Sequence, residues 1–157
     1  MINNNRCKYI SLIVVLFFTV IKSKAQIIEG AKWSFNVEQK ENGIATLIFK
    51  AKTNEKFHIY SQFLPSNDGP IATTFTFKAT NDYECIGKVE EGTAVEAMDE
   101  AFQMKVRYFV GEVVFKQKIK VKAEKHFKVT GVLNYMACDN MKCLPPTDVE
   151  FTFDINK

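Results

Sequence analysis

The stretch Tyr135-Met-Ala-Cys138-Asp-Asn-Met-Lys-Cys143-Leu-Pro-Pro146 organises the reading of this chain. Two cysteines bracket four polar or flexible residues, and a proline pair closes the segment. An alternating run from Phe127 and Val129 leads in, and a second, Val149, Phe151, Phe153 and Ile155, leads out. Period-two alternation of this kind marks half-buried β-strands, so the cysteines are expected at the connection between two strands.

Upstream of the pair the same pattern recurs. Trp33, Phe35 and Val37 alternate with Ser34, Asn36 and Glu38; after a turn at Glu41-Asn42-Gly43 come Ala45, Leu47, Phe49 and Ala51. Further runs hold Phe57, Ile59 and Phe63, then Thr73, Phe75 and Phe77, then Phe102, Met104, Val106 and Tyr108. A turn at Gly111 leads to Val113, Phe115, Ile119 and Val121, with Lys116, Lys118, Lys120 and Lys122 on the other face. Seven to nine short strands with one wet face predict an all-β, antiparallel β-sandwich. The lysine row reads as a solvated face that discourages edge pairing rather than as a binding stripe. Only Thr93–Ala101 departs from the pattern; Val95, Met98 and Phe102 have the spacing of one helical turn on a crossover loop.

The N-terminus has a separate character. Arg6 and Lys8 precede an apolar run from Ile10 to Ile21, followed by Ser23 and Ala25 at the −3 and −1 positions of a cleavage site. Residues 1–25 thus read as a secretory signal peptide with Gln26 as the first mature residue, and 26–157 as one domain. The apolar run falls short of the about 20 residues a membrane span needs, so no membrane insertion is expected after cleavage. Cys7 lies before the run, where a lipoprotein acylation cysteine would not be. Cleavage removes four basic residues and no acids, which takes the formal charge from +3 to −1. Nucleic acid is therefore not an implied partner. The domain of about 130 residues is long enough for a real core.

Export also places the remaining cysteines, Cys85, Cys138 and Cys143, where disulfides persist, and an odd count leaves one thiol over. A Cys138–Cys143 bond would close so short a loop that it contributes only about 2 kcal/mol, against nearer 5 for a loop of a hundred residues. Short, exposed disulfides are the labile sort used for exchange. On the residues alone, redox exchange and a structural staple both stay open. The staple would make the chain a non-catalytic secreted β-sandwich binding module. A metal is the third option. Zinc needs about four ligands, and His58 and His126 have no matching spacing; Cu(I) could use both thiolates with Met136 or Met141. No cofactor and no metal are expected. Lys142 beside Cys143 favours a thiolate there, and Asp139 beside Cys138 opposes one, so Cys143 is expected to attack.

The sequence resembles the periplasmic N-terminal domain of the bacterial thiol:disulfide interchange protein DsbD, also grouped as disulfide bond corrector domains. The likeness rests on Trp33-Ser34-Phe35, His58-Ile59-Tyr60-Ser61, Gly69-Pro70 with Thr73 to Phe77, and Ile86 to Glu90. It is strongest over Tyr135-Met136-Ala137-Cys138 and Cys143-Leu144-Pro145-Pro146-Thr147. It implies a periplasmic immunoglobulin-like sandwich whose Cys138/Cys143 pair passes reducing equivalents from a membrane-embedded thiol-disulfide transporter to periplasmic thioredoxin-like proteins. It further implies a protein-disulfide reductase component in which the second cysteine, Cys143, bonds to partners, in agreement with the charges. A cap loop is implied over the pair; motif order puts it near Tyr83 to Gly87, with Glu84 in it and His58 and Tyr60 close by. Cys85 falls near that cap, either as a buried strand thiol or as a third redox participant. The family's transporter continues into membrane helices and a thioredoxin-like domain whereas this chain stops at Lys157, so the electron donor is expected on a separate protein. A monomer is expected.

Overall fold

The computed structural model describes residues 28–156, apart from 41 and 67. The expected signal peptide, its cleavage site and Gln26 lie outside the described residues. Eleven strands are described, β1 (Ala31–Lys40), β2 (Ile44–Thr53), β3 (His58–Tyr60), β4 (Thr74–Phe77), β5 (Tyr83–Glu91), β6 (Val95–Asp99), β7 (Met104–Phe109), β8 (Glu112–Val121), β9 (Phe127–Tyr135), β10 (Ala137–Cys138) and β11 (Thr147–Ile155). They pair antiparallel throughout, in three sheets ordered β1-β2-β8-β5, β10-β3-β7-β6 and β11-β9-β4. The all-β sandwich expected from the alternation, immunoglobulin-like as the resemblance implies, is the fold found.

The first sheet faces the third through the aromatic residues that alternate inward. Phe49 of β2 meets Phe75 at 4.8 Å, Phe151 at 4.9 Å and Phe153 at 5.0 Å between ring centroids, all edge-on. Trp33 of β1 packs against Phe75, Phe115 and Tyr135. Edge-to-face pairs of this kind contribute about 0.5–1.5 kcal/mol each beyond the area they bury. Gly131 of β9 has no room for a side chain, because a Cβ there would lie 2.1 Å from the Thr76 carbonyl oxygen and 2.4 Å from the Phe151 ring. The β1–β2 hairpin turns through Asn42 and Gly43, both in the left-handed region at φ 74° and 71°, a conformation that these two residue types tolerate best.

Two segments depart from expectation. Thr93–Ala101 forms no helical turn; Val95–Asp99 is β6, an edge strand paired with β7 from Val95↔Tyr108 to Asp99↔Met104. Its apolar residues Val95 and Met98 are exposed, so their spacing carried no information about a buried face. Residues 83–87, which motif order suggests as a cap loop, lie in β5 (Tyr83–Glu91) instead. The strand reads poorly because its ladder with β8 is broken between Ile86 and Glu90, where Gly87 has φ 68°. Gln117 of β8, itself buried, donates its side-chain amide to the Ile86 carbonyl at that break and to the Lys118 carbonyl. The lysine row also has a different setting from the one expected: β8 lies between β2 and β5, not at an edge. Its outer face is solvated, with Lys118 bridged to Glu90 and Lys122 to Glu84.

The second sheet positions the cysteines. Strand β9 ends at Tyr135, and after Met136 the chain continues as β10, which pairs with β3 instead of with β4 and β11. The motif therefore begins where one strand leaves the third sheet for the second. Among the described residues no helix is long and apolar enough to cross a membrane.

Candidate functional site

Alternation places Ala137 and Ile59 on the main core and turns Cys138, His58 and Tyr60 to the opposite face of the second sheet. Gly30 holds β10 close, since a Cβ at Gly30 would fall 2.1 Å from that of Ala137. The chain then turns through 139–142. The Asp139 amide donates to the Lys142 carbonyl, and Leu144 N–H to the Ala137 carbonyl. Asp139 Oδ1 accepts the amides of Met141 and Lys142, each at 2.8 Å. Those two amides, then Lys142 and Lys56, hold the Asp139 carboxyl below its ordinary range. The loop is therefore built by its own hydrogen bonds as well as by the Cys138–Cys143 disulfide that closes it.

The two sulfurs are not equivalent. Cys138 is 2% exposed, packed with Tyr60 and Val106, whereas Cys143 is half-buried. Met141, at the tip between them, is 94% exposed. Phe102, Met104, Tyr108 and Met136 pack against this small core of Tyr60, Val106 and Cys138.

A chain of polar contacts runs beside it. The Tyr60 hydroxyl donates to Asp99 Oδ2 at 2.9 Å, and His58 Nε2 lies 3.2 Å from the Tyr60 oxygen. Burial, helped by Asp99, pushes the Tyr60 hydroxyl well above its usual range. Burial also lowers the His58 pKa, against the opposing pull of Asp99 and Asp139. Asp99 Oδ1 accepts the amides of Ala101 and Phe102, so the same carboxylate shapes the β6–β7 turn and ties it to β3. A cleft of about 400 Å³ opens here, lined by His58, Met98, Asp99, Tyr108 and Asp139.

Of the residues expected at the site, Cys138, Cys143, His58 and Tyr60 come together. Tyr83, Glu84 and Cys85 are elsewhere, in β5 of the first sheet. Tyr83 donates to the Lys78 carbonyl and stacks on Phe127, Glu84 bridges Lys122, and Cys85 pairs with Ile119. Of the two readings of Cys85, the buried strand thiol does not hold, since it is a free, exposed thiol of β5; partial burial of its sulfur raises its pKa, which does not favour a thiolate there. The segment that meets Tyr60 is the end of β6 and the turn after it, carrying Asp99 and Phe102. Sequence reasoning missed both. The available signal was an Asp three residues before an aromatic, a turn-forming pattern. His126 pairs with Asp154 at 3.2 Å, between β11 and the segment that leads into β9. Among the described residues no group of three or more His, Cys, Asp and Glu side chains is arranged to hold a metal.

Comparison with known proteins agrees with this arrangement. Residues 24–155 match the family model described as thiol:disulfide interchange protein DsbD, N-terminal. Among solved structures, the N-terminal periplasmic domain of ScsB from Proteus mirabilis is similar at a TM-score of 0.61 and 16% identity, covering 81% of this chain. The chain spans 47% of the length of that structure. The DsbD N-terminal domain of Neisseria meningitidis in the reduced form is similar at a TM-score of 0.52 and 16% identity, covering 80% of this chain and 86% of the other. No curated protein sequence matches the chain. With a cysteine pair on the second sheet of an immunoglobulin-like sandwich and a family match over nearly its whole length, the chain belongs to the family of DsbD N-terminal thiol-disulfide domains.

Proposed function

We propose that this domain is a periplasmic electron carrier that cycles Cys138 and Cys143 between dithiol and disulfide, taking reducing equivalents from a membrane-embedded thiol-disulfide transporter and delivering them to thioredoxin-like proteins. The observation that carries the reading is the asymmetry of the pair. Cys143 is open enough for a partner's sulfur to reach, while Cys138 is held against Tyr60 to resolve the mixed disulfide. Thiol-disulfide exchange needs this division of labour: one sulfur attacks or is attacked, and the other stays within reach to displace the partner. The loop's own hydrogen bonds support it, because they would keep the two sulfurs close when the bond between them is open.

The β6–β7 turn takes the part of the cap. It is tied to β3 through Tyr60–Asp99 and packs Phe102 edge-on to Tyr60, in the small core that holds Cys138. Exposed apolar side chains near the pair, Met141, Met98 at 62% and Val110 at 58%, form the surface on which a partner would dock. Exposed apolar groups gathered beside a reactive site mark interaction surfaces more often than scattered ones do.

Equilibration of the domain in glutathione buffers, with free thiols on Cys138 and Cys143 counted by alkylation, tests the reading. A midpoint between about −180 and −270 mV is expected, the range of exchange proteins. A midpoint below about −300 mV would mark a disulfide that glutathione cannot reduce, and the chain would then be a stapled binding module.

A further inference from the structure

His58 and Cys138 are direct cross-strand partners in the β3–β10 ladder. Residues opposed in an antiparallel pair present their side chains on the same face, with Cβ atoms roughly 4.5–5.5 Å apart. The imidazole therefore lies next to the buried sulfur, not the accessible one.

The surrounding hydrogen bonds set which ring nitrogen carries the proton. The Asp99 carboxylate can only accept, so the Tyr60 hydroxyl commits its proton to Oδ2. The Tyr60 oxygen must then accept from His58 Nε2, which puts the ring proton on Nε2 and leaves Nδ1 as the basic nitrogen. Burial keeps the ring below its ordinary pKa and thus neutral at pH 7, able to take a proton. The acids that face it are Asp99 and Glu100 at the β6–β7 turn, Asp139 in the disulfide loop and Glu55 before β3. Tyr108 of β7 contacts the ring at 4.8 Å, and Lys56 and Lys142 stand beside Asp139.

We propose that His58 is the proton acceptor for Cys138 in the resolving step, an assignment that rests on the exchange function above. Cys143 thiolate first opens a partner disulfide, releasing one partner sulfur and forming a mixed disulfide. The Cys138 thiol then passes its proton to His58 Nδ1, and the resulting thiolate attacks Cys143 Sγ. The Cys138–Cys143 bond forms, the mixed disulfide breaks, and the partner's second sulfur leaves as a thiolate. That thiolate takes up the proton released again by the imidazole. Two electrons have passed from this chain to the partner. In reverse, protonated His58 gives its proton to Cys138 as the disulfide is opened.

The test uses the reduced domain with 5,5′-dithiobis(2-nitrobenzoate), in a Cys85→Ser background so that the free thiol adds no signal. The first nitrothiobenzoate released reports attack by Cys143, and the second reports resolution by Cys138. The second phase is expected to rise with pH through an inflection below 6.5 and then level off. In His58→Gln, which keeps an N–H donor for the Tyr60 oxygen, it should slow by roughly tenfold or more at pH 7, the lower end for a lost general base or below. It should then rise only towards the ordinary thiol pKa of about 8.5. A second phase in His58→Gln that keeps the rate and inflection of the parent, with the first phase intact, would overturn the assignment and leave His58 a structural residue. His58→Phe, checked for an unchanged melting curve, provides the same comparison without the amide. If the pair cannot be reduced by glutathione at all, the exchange function itself falls, and the role of His58 with it.

Discussion

Tyr60 and Asp99, 39 residues apart, are joined by a 2.9 Å hydrogen bond that fastens the turn after β6 to the strand beneath the disulfide. Tyr60 is fully buried, and hydrogen bonds from buried groups to charged acceptors are worth about 1.5–3 kcal/mol. Tyr60→Phe removes the donor and keeps the ring. It should lower Tm by several degrees, about what 1–2 kcal/mol does to a domain of this size. It should also speed reduction of the Cys138–Cys143 bond by dithiothreitol several-fold, because the turn carrying Phe102 is released. An unchanged reduction rate would mean that this turn does not shield the pair.

The unequal burial of the two sulfurs predicts unequal variants. Cys143→Ala should drop transfer to a thioredoxin-like protein to background, with the far-ultraviolet spectrum and Tm close to those of the reduced parent. Cys138→Ala leaves the accessible thiol in place and removes the one that resolves, so it should accumulate a mixed disulfide visible on non-reducing gels. Accumulation by Cys143→Ala instead would reverse the assignment of attacking and resolving sulfurs.

Asp139 links the loop to pH. Its carboxyl is held below the ordinary 3.8 chiefly by the Met141 and Lys142 amides it accepts. A depressed carboxyl stabilises the fold at all pH values above its unfolded pKa, and that contribution is lost as pH falls through the folded value. The loop should therefore be insensitive to pH from neutrality down to about 4 and loosen below it. Amide exchange of Met141 and Lys142 measures this, corrected for intrinsic rates. Asp139→Ala should show at pH 7 the low protection that the parent shows only in acid.

How far the sequence disclosed this structure depends on which faces the strands bury. Phe127–Tyr135 and Thr147–Ile155 alternate cleanly because each lays one face on the Phe49 cluster and the other in water. β5 and β6 do not, because both are edge strands exposed on much of both faces, and β5 is interrupted at Gly87. That is why alternation marks neither as a strand, and why Val95, Met98 and Phe102 have the spacing of a helical turn; the cap reading of 83–87 comes from motif order alone. The cysteines were legible from spacing and flanking strands. Asp99 was not, since its place beside Tyr60 is set by the β7 ladder between them and not by any local pattern.

The last prediction concerns the exposed tip of the loop. Met141 is 94% exposed and lines a cleft that shares His58, Tyr108, Asp139 and Asn140 with the one lined by Met98, so both methionines stand near the disulfide loop. Neither side chain is needed for folding, and surface changes of this kind usually alter stability by less than about 0.5 kcal/mol. Thioethers are flexible and polarisable and suit a surface that must fit more than one partner. Burying such a side chain against a partner is worth about 1.5–3 kcal/mol. Met141→Asp should therefore cut kcat/KM for a thioredoxin-like acceptor by roughly tenfold or more, with Tm unchanged. Reduction by dithiothreitol, which needs no docking surface, should proceed at the parent rate. Equal losses with the protein acceptor and the small thiol would place the defect in the disulfide loop and remove Met141 from the docking surface.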